Sequence, residues 1–245
     1  MSKSIIKNTS RVIIIMFILL MTSFSKSISA DEDGYMLQDI YVKDDNKIVF
    51  LTFDDGPSKT TDKILDILKE KDIKATFFIL GVQAEQYPEA LMRIYEEGHS
   101  IGNHTYSHLD KIQYCTPDKF VKDLDKNKEL INDILERDIN LNLVRFPYGS
   151  NSAKYQNKKM YIEKLREHNL KSIDWNVDAR DSIVKNPSES FIMNKILEES
   201  KNKTRIVLLM HDSVLCKNTV KVLPRVIEHF KNKGFIFEKI ASEQE

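Results

Sequence analysis

An α/β fold built on a mostly parallel sheet is what this sequence predicts, on three observations. Short apolar runs alternate with longer amphipathic stretches along residues 47–240. The runs are apolar throughout, as strands covered on both faces are. Clusters of polar residues follow five of the runs, where parallel α/β folds gather their chemistry. An open doubly wound sheet and a closed barrel both satisfy this alternation.

The elements follow in order. Ile48–Phe53 is the first strand. A helix over about 59–71 carries Ile64, Leu65 and Leu68 on one face. Ala75–Leu80 is the second strand. Pro88 suits a first helical position and Gly98 a C-terminal cap, so 88–97 is a helix. His99–Gly102 is a short strand, and Thr116-Pro117 opens a helix running to about Arg137. A strand at Leu143–Phe146 leads to a helix near 158–168 and a strand at Leu170–Trp175. Pro187 is expected to start a helix ending near Ser200. The strand Arg205–Met210, a helix over 219–233 and the strand Phe235–Lys239 complete the chain.

The N-terminus has a different character. Lys3, Lys7 and Arg11 precede the apolar run Val12–Met21, and small residues lead to Ala30. Basic flank, short apolar run and small residues form the pattern of an export signal over residues 1–30, cleaved or kept as an anchor. A spanning helix needs about 20 apolar residues. Residues 31–46 are polar and acidic and read as a linker, leaving 47–245 as one catalytic domain. Beyond residue 30 the chain holds 33 bases against 37 acids, a poor balance for nucleic-acid binding. The two cysteines, Cys115 and Cys216, make no framework and read as idle thiols.

The five clusters are Asp54-Asp55-Gly56-Pro57, His104 with His108, Arg145 to Gly149, Asp178 with Asp181, and His211-Asp212. Asp-Asp-Gly-Pro alone is a turn sequence. Two adjacent acids at a strand end also repel, unless a cation or base compensates them. His104 and His108 stand four apart, which on a helical turn puts both imidazoles on one face. With Asp55 they would make three protein ligands and leave a position for water, the catalytic arrangement of zinc. The same ligand types suit Co2+, Ni2+, Fe2+ or Mn2+. Arg145 at a strand end beside acids is expected to pair with a carboxylate. His211 is expected to work with an acid from the 178–181 segment. His99, His168 and His229 read as structural or exposed.

Taken together, Thr52-Phe-Asp-Asp-Gly-Pro57, His104-x-x-x-His108, Arg145-x-Pro-Tyr148, Asp178-x-x-Asp181 and Leu208-Leu-Met-His211 resemble the five ordered motifs of the polysaccharide deacetylases, carbohydrate esterase family 4, the NodB-homology domain. The resemblance implies an irregular (β/α)7 barrel. It implies Asp54 as general base, and Asp55, His104 and His108 as ligands of one divalent metal, zinc first among the candidates. Arg145 would orient Asp54, and Asp181 would support His211 as general acid. The Tyr148 backbone N–H would hold the oxyanion, with Pro147 and Leu209 lining the substrate. Ser182 departs from the pattern, because a tryptophan usually follows the second aspartate of that motif and walls the acetyl pocket. Phe146, where proline is commoner, is a lesser variation.

With export, the resemblance makes peptidoglycan the expected substrate, through N-acetylglucosamine or N-acetylmuramic acid. Chitin oligomers, an exopolysaccharide or O-acetylated xylan are the alternatives within the family, and a non-catalytic glycan-binding module the one outside it. Nucleic acid is not an expected partner. Contact with a membrane is expected only through an uncleaved N-terminal segment, and the protein is expected to be a monomer.

Overall fold

The computed structural model describes residues 46–108, 116–155 and 157–240. The proposed export signal, residues 31–45 of the linker and Cys115 lie outside them. Among the described residues no helix is long and apolar enough to cross a membrane.

The elements are β1 (Ile48–Gly56), α1 (Lys59–Glu70), β2 (Thr76–Ile79), α2 (Gly81–Ala84), α3 (Pro88–Glu96), β3 (Ser100–Asn103), α4 (Pro117–Leu135), β4 (Leu143–Val144), α5 (Lys158–Glu167), β5 (Lys171–Ser172), β6 (Val177–Asp178), α6 (Glu189–Glu199), β7 (Arg205–His211), α7 (Lys217–Asn232) and β8 (Ile236–Glu238). All strand pairs are parallel, in the order β5-β4-β3-β2-β1-β7-β6, and β8 lies beside the start of β1.

The expected strand Leu170–Trp175 is corrected: only Lys171–Ser172, β5, is strand there, and a second short strand, β6, follows at Val177–Asp178 at the opposite end of the sheet order. The first pairs with β4 and the second with β7. Only residues 173–176 lie between them, so the sheet must curl until its two ends are bridged by one stretch of chain. Counting that broken stretch once, the strands number seven, the curled parallel (β/α)7 arrangement expected from the motifs.

Alternation along β1 sets the layers. Val49, Leu51 and Phe53 pack outward with Ile64, Leu65 and Leu68 of α1 and Val222, Leu223 and Val226 of α7. Ile48 and Phe50 face inward, clustered with Phe78, Leu143, Ile173 and Val207. The next inward positions are polar, Thr52 and then Asp54, so the curled interior is apolar at the amino ends of the strands and polar at the carboxyl ends.

Helix starts follow side-chain capping. Ser58 caps α1 in a capping box with Thr61, and Thr116 caps α4 ahead of Pro117. The expected start at Pro187 is corrected: Ser188 accepts from the Phe191 N–H, and the helix begins at Glu189. The short helix α2 was not expected, being too brief for periodicity to register. Phe146 stacks on Phe120 with ring centroids 4.7 Å apart and meets Tyr155 and Tyr161 edge-on. That aromatic cluster gives a large ring a place where proline is commoner.

Candidate active site

Asp54 and Asp55 sit at the carboxyl end of β1, and strict alternation would turn Asp55 outward. The β1–β2 register slips between Asp54 and Gly56, and Asp55 adopts φ 72°. This bulge re-aims Asp55 toward the same side as Asp54. A left-handed conformation at a non-glycine residue costs energy that the surrounding packing must supply.

Three contacts lock the bulge. The Asp212 N–H donates to the Asp54 carbonyl. The Ser58 hydroxyl donates to the Asp212 carbonyl, and the Thr61 hydroxyl to Asp212 Oδ2 at 2.6 Å. A Cβ on Gly56 would lie 2.0 Å from that carboxylate oxygen, so only glycine fits. Burial pushes the Asp212 carboxyl up to about 7, with the Thr61 hydrogen bond opposing.

The histidine pair departs from one expectation. His104 and His108 do not lie on a helical turn; Thr105 and His108 have φ 73° and 50°. The Thr105 hydroxyl accepts from the His108 N–H and closes the loop. The rings still converge, because the reversed backbone turns His108 back over His104. His104 Nδ1 lies 2.8 Å from the Arg145 carbonyl, which only accepts, so Nδ1 carries the proton and Nε2 a lone pair.

His104 Nε2 and His108 Nε2 stand 3.5 and 3.4 Å from Asp55 Oδ1, an oxygen buried without a hydrogen-bond partner. Ligands about 2.0–2.1 Å from a tetrahedral ion are separated by about 3.3–3.4 Å. The donor set therefore fits one divalent cation. Burial opposes ionisation of Asp55, but His104, His211 and His108 outweigh it and hold the carboxyl well below its usual range. Burial and the neighbouring His104 push His108 down to about 4, leaving it neutral at pH 7. Burial likewise works against a charged His104, yet Asp54 and Asp55 hold that imidazole above its ordinary value.

Arg145 is wholly buried. Its Nη1 donates to Asp54 Oδ1 at 2.9 Å and to Thr52 Oγ1 at 2.7 Å. Its Nε donates to the Ile173 carbonyl and Nη2 to that of Asp174. The guanidinium lies 3.9 Å from the Phe78 ring centroid, on the apolar inner layer. The expected pairing with a carboxylate is what the geometry has.

His211 is the register partner of Asp54 across β1 and β7, so the two side chains stand side by side. Its Nδ1–H donates to Asp181 Oδ1 at 2.7 Å, and its backbone N–H to Asp181 Oδ2. Thr219 also donates to Asp181 Oδ2 at 2.5 Å. Burial lowers the His211 pKa, but Asp181 more than offsets it and raises the imidazole to about 10. Asp178, by contrast, faces Arg180 at 3.3 Å, and its N–H donates to Glu199.

Tyr148 has φ 67° and an exposed side chain, and its ring meets His108 at 4.9 Å between centroids. Among the described residues no acceptor takes its N–H. Pro147 is buried, and its carbonyl accepts from the Tyr155 hydroxyl. Leu209 is buried on the inward face as the register partner of Thr52, one inward position before Asp54 and His211. The Ser182 hydroxyl lies 3.3 Å from His211 Nε2. Trp175 packs beside Gly149, 2.9 Å from where a Cβ would be, and its ring lies 5.7 Å from the Arg145 guanidinium. Burial raises the Cys216 thiol to about 12, in keeping with an idle group. His99 is structural, its Nδ1 accepting from the Ala75 N–H.

Thr219, Ser58 and Thr61 were not singled out from sequence, and Asp212 and Thr52 entered only as members of a cluster and a motif, with no role of their own. Asp212 stood beside His211, and Ser58 with Thr61 had the spacing of a capping box, the only local signals available.

Residues 41–171, more than half of the chain, match the family model described as polysaccharide deacetylase. A peptidoglycan-N-acetylglucosamine deacetylase of Bacillus cereus is 36% identical over 200 residues, 79% of this chain and 67% of that protein. Listeria monocytogenes peptidoglycan-N-acetylglucosamine deacetylase PgdA is 32% identical over 196 residues, 80% of this chain but only 38% of that protein. The crystal structure of the polysaccharide deacetylase Bc1974 from Bacillus cereus superposes with a TM-score of 0.72 at 31% identity, covering 82% of this chain and 95% of the other.

Proposed function

The chain belongs to the polysaccharide deacetylase family, and on that premise we propose that it hydrolyses N-acetyl groups of peptidoglycan, chiefly on N-acetylglucosamine, with the aid of one divalent metal ion. One observation carries the reading. A carboxylate held by a buried arginine and an imidazole held by a buried carboxylate stand on adjacent strands, beside a buried carboxylate oxygen that no hydrogen bond satisfies and two histidines flank.

Asp55, His104 and His108 would hold the ion, zinc by preference. When bound, the ion polarises the amide carbonyl and makes water easier to ionise. Asp54, kept in place by Arg145, accepts a proton from the water that attacks the acetyl carbon. The Tyr148 N–H, which meets no acceptor among the described residues, donates to the developing oxyanion. Protonated His211, held by Asp181, gives its Nε2 proton to the leaving nitrogen as the C–N bond breaks. Acetate and a free glycan amine result.

The segment 1–30 supports export of the enzyme, secreted, wall-associated or anchored with the catalytic domain outside. The test is acetate release from peptidoglycan, N-acetylglucosamine oligomers and acetylated xylan, with chelation and metal add-back. Asp54→Asn should keep metal binding and lose turnover. Full turnover in that variant, or turnover indifferent to chelation, would overturn the assignment.

A further inference from the structure

A groove of about 1400 Å³ opens from the catalytic floor at Asp55 and Asp181, past Tyr148 and Ser182. Small-molecule pockets span about 300–1,000 Å³, so this one has room for more than a single sugar. Five lysines line it: Lys59 and Lys63 on α1, Lys185 from the loop after β6, and Lys217 and Lys221 on α7. The only acids in its lining are Asp55 and Asp181, which face the histidines.

All five lysines are exposed, and none has a carboxylate within ion-pair distance among the described residues. Several surface cations elsewhere are paired. Lys164 meets Asp118 and Glu167, Lys195 meets Glu198, and Arg93 meets three acids. Acids outnumber bases beyond residue 30, so composition does not force an unpaired basic cluster.

The cluster also works against the fold. Lys59 with Lys63, and Lys217 with Lys221, are like charges four apart on a helix, where they repel. Lys59 and Lys217 are the first residues of their helices, where the dipole disfavours a cation, and α7 has no acid in its first turn. An incoming anion would offset each of these costs. Val214, Val184 and Leu215, the last 80% exposed, add apolar surface for sugar faces.

We propose that the lysine-lined groove binds the anionic groups of an acetylated glycan strand, so that the enzyme selects a negatively charged wall polymer over a neutral one. The inference rests on the deacetylase reading above and adds a substrate class to it. The anions are carboxylates borne by the strand or phosphates of a polymer attached to it.

The experiment uses the full chain with added divalent metal. Acetate release and cosedimentation are measured on intact cell-wall sacculi, on sacculi stripped of phosphate polymers with hydrofluoric acid, and on neutral chitin, at low and high salt. On sacculi, rate and sedimentation should fall about tenfold as salt screens the contacts, and on chitin less than about twofold. Survival of the salt effect after stripping assigns the anions to carboxylates, and its loss to phosphates. The triple variant Lys185→Gln, Lys217→Gln, Lys221→Gln should lose most of the preference for sacculi over chitin, and the matching triple Arg variant should keep it. Equal salt dependence on chitin and sacculi, or an unchanged preference in the Gln variant with an unchanged melting curve, would overturn the proposal. If no substrate releases acetate, the deacetylase reading fails, and sedimentation still decides the groove.

Discussion

Asp181→Asn is the most informative perturbation of the site. It removes a charge 2.7 Å from His211 Nδ1 while keeping the shape of the side chain. In the native protein the imidazole rises from 6.5 to about 10, roughly 5 kcal/mol in favour of the protonated form. Part of that comes from Asp54 and Asp55, and a cation held by Asp55 would cancel some of it, so 5 kcal/mol is a ceiling. Without Asp181 the largest raising influence is gone while burial still lowers the pKa, so it falls from about 10. Were it to fall back to the ordinary 6.5, about a tenth of His211 would carry the proton at pH 7.5. The expected loss in kcat/KM is tenfold or more at pH 7.5, and an asparagine amide facing Nδ1 adds to it by favouring the wrong tautomer. The alkaline limb of the pH–rate profile should move down by several pH units, and an NMR titration of His211 should move with it. Stability gives a second reading of the same shift. A raised folded pKa contributes fully below the unfolded value of 6.5 and is lost as pH rises through about 10. The stability gap between wild type and variant should therefore be widest near pH 6 and close by pH 10. A variant with an unmoved alkaline limb would refute the role given to Asp181.

Three further outcomes follow from the same geometry. Arg145→Met leaves Asp54 buried without its cation and should cost about 3–5 kcal/mol in urea unfolding, along with activity. Gly56→Ala drives a Cβ to 2.0 Å from the Asp212 carboxylate; a loss of about 1–3 kcal/mol is expected, with metal affinity falling because Asp55 is displaced. A divalent metal at a hundred times its Kd should stabilise the protein by about 2.7 kcal/mol in thermal melts. That gain should vanish in Asp55→Ala and fade on acidification, because protons compete for His104 and His108.

Much of this was legible in the chain itself. Apolar runs such as Ile48–Phe53 and Arg205–Met210 mark buried strands, and the amphipathic faces of 59–71 and 219–233 mark their covering helices, because the burial of each face is written in its own periodicity. The carboxylates and imidazoles of the candidate site stood out because each followed such a run. Contacts that depend on how the sheet curls were not legible. Leu170–Trp175 looked like one strand, yet the chain leaves the sheet after Ser172 and rejoins its other end at Val177. The aim of Asp55 rests on a bulge locked by Asp212 from more than 150 residues away, and the convergence of His104 with His108 on left-handed backbone. Five lysines spread from position 59 to 221 become one unpaired cluster only when α1, α7 and the loop after β6 meet around the groove. Periodicity reports which side of an element is buried, and closure of the sheet decides what that side meets.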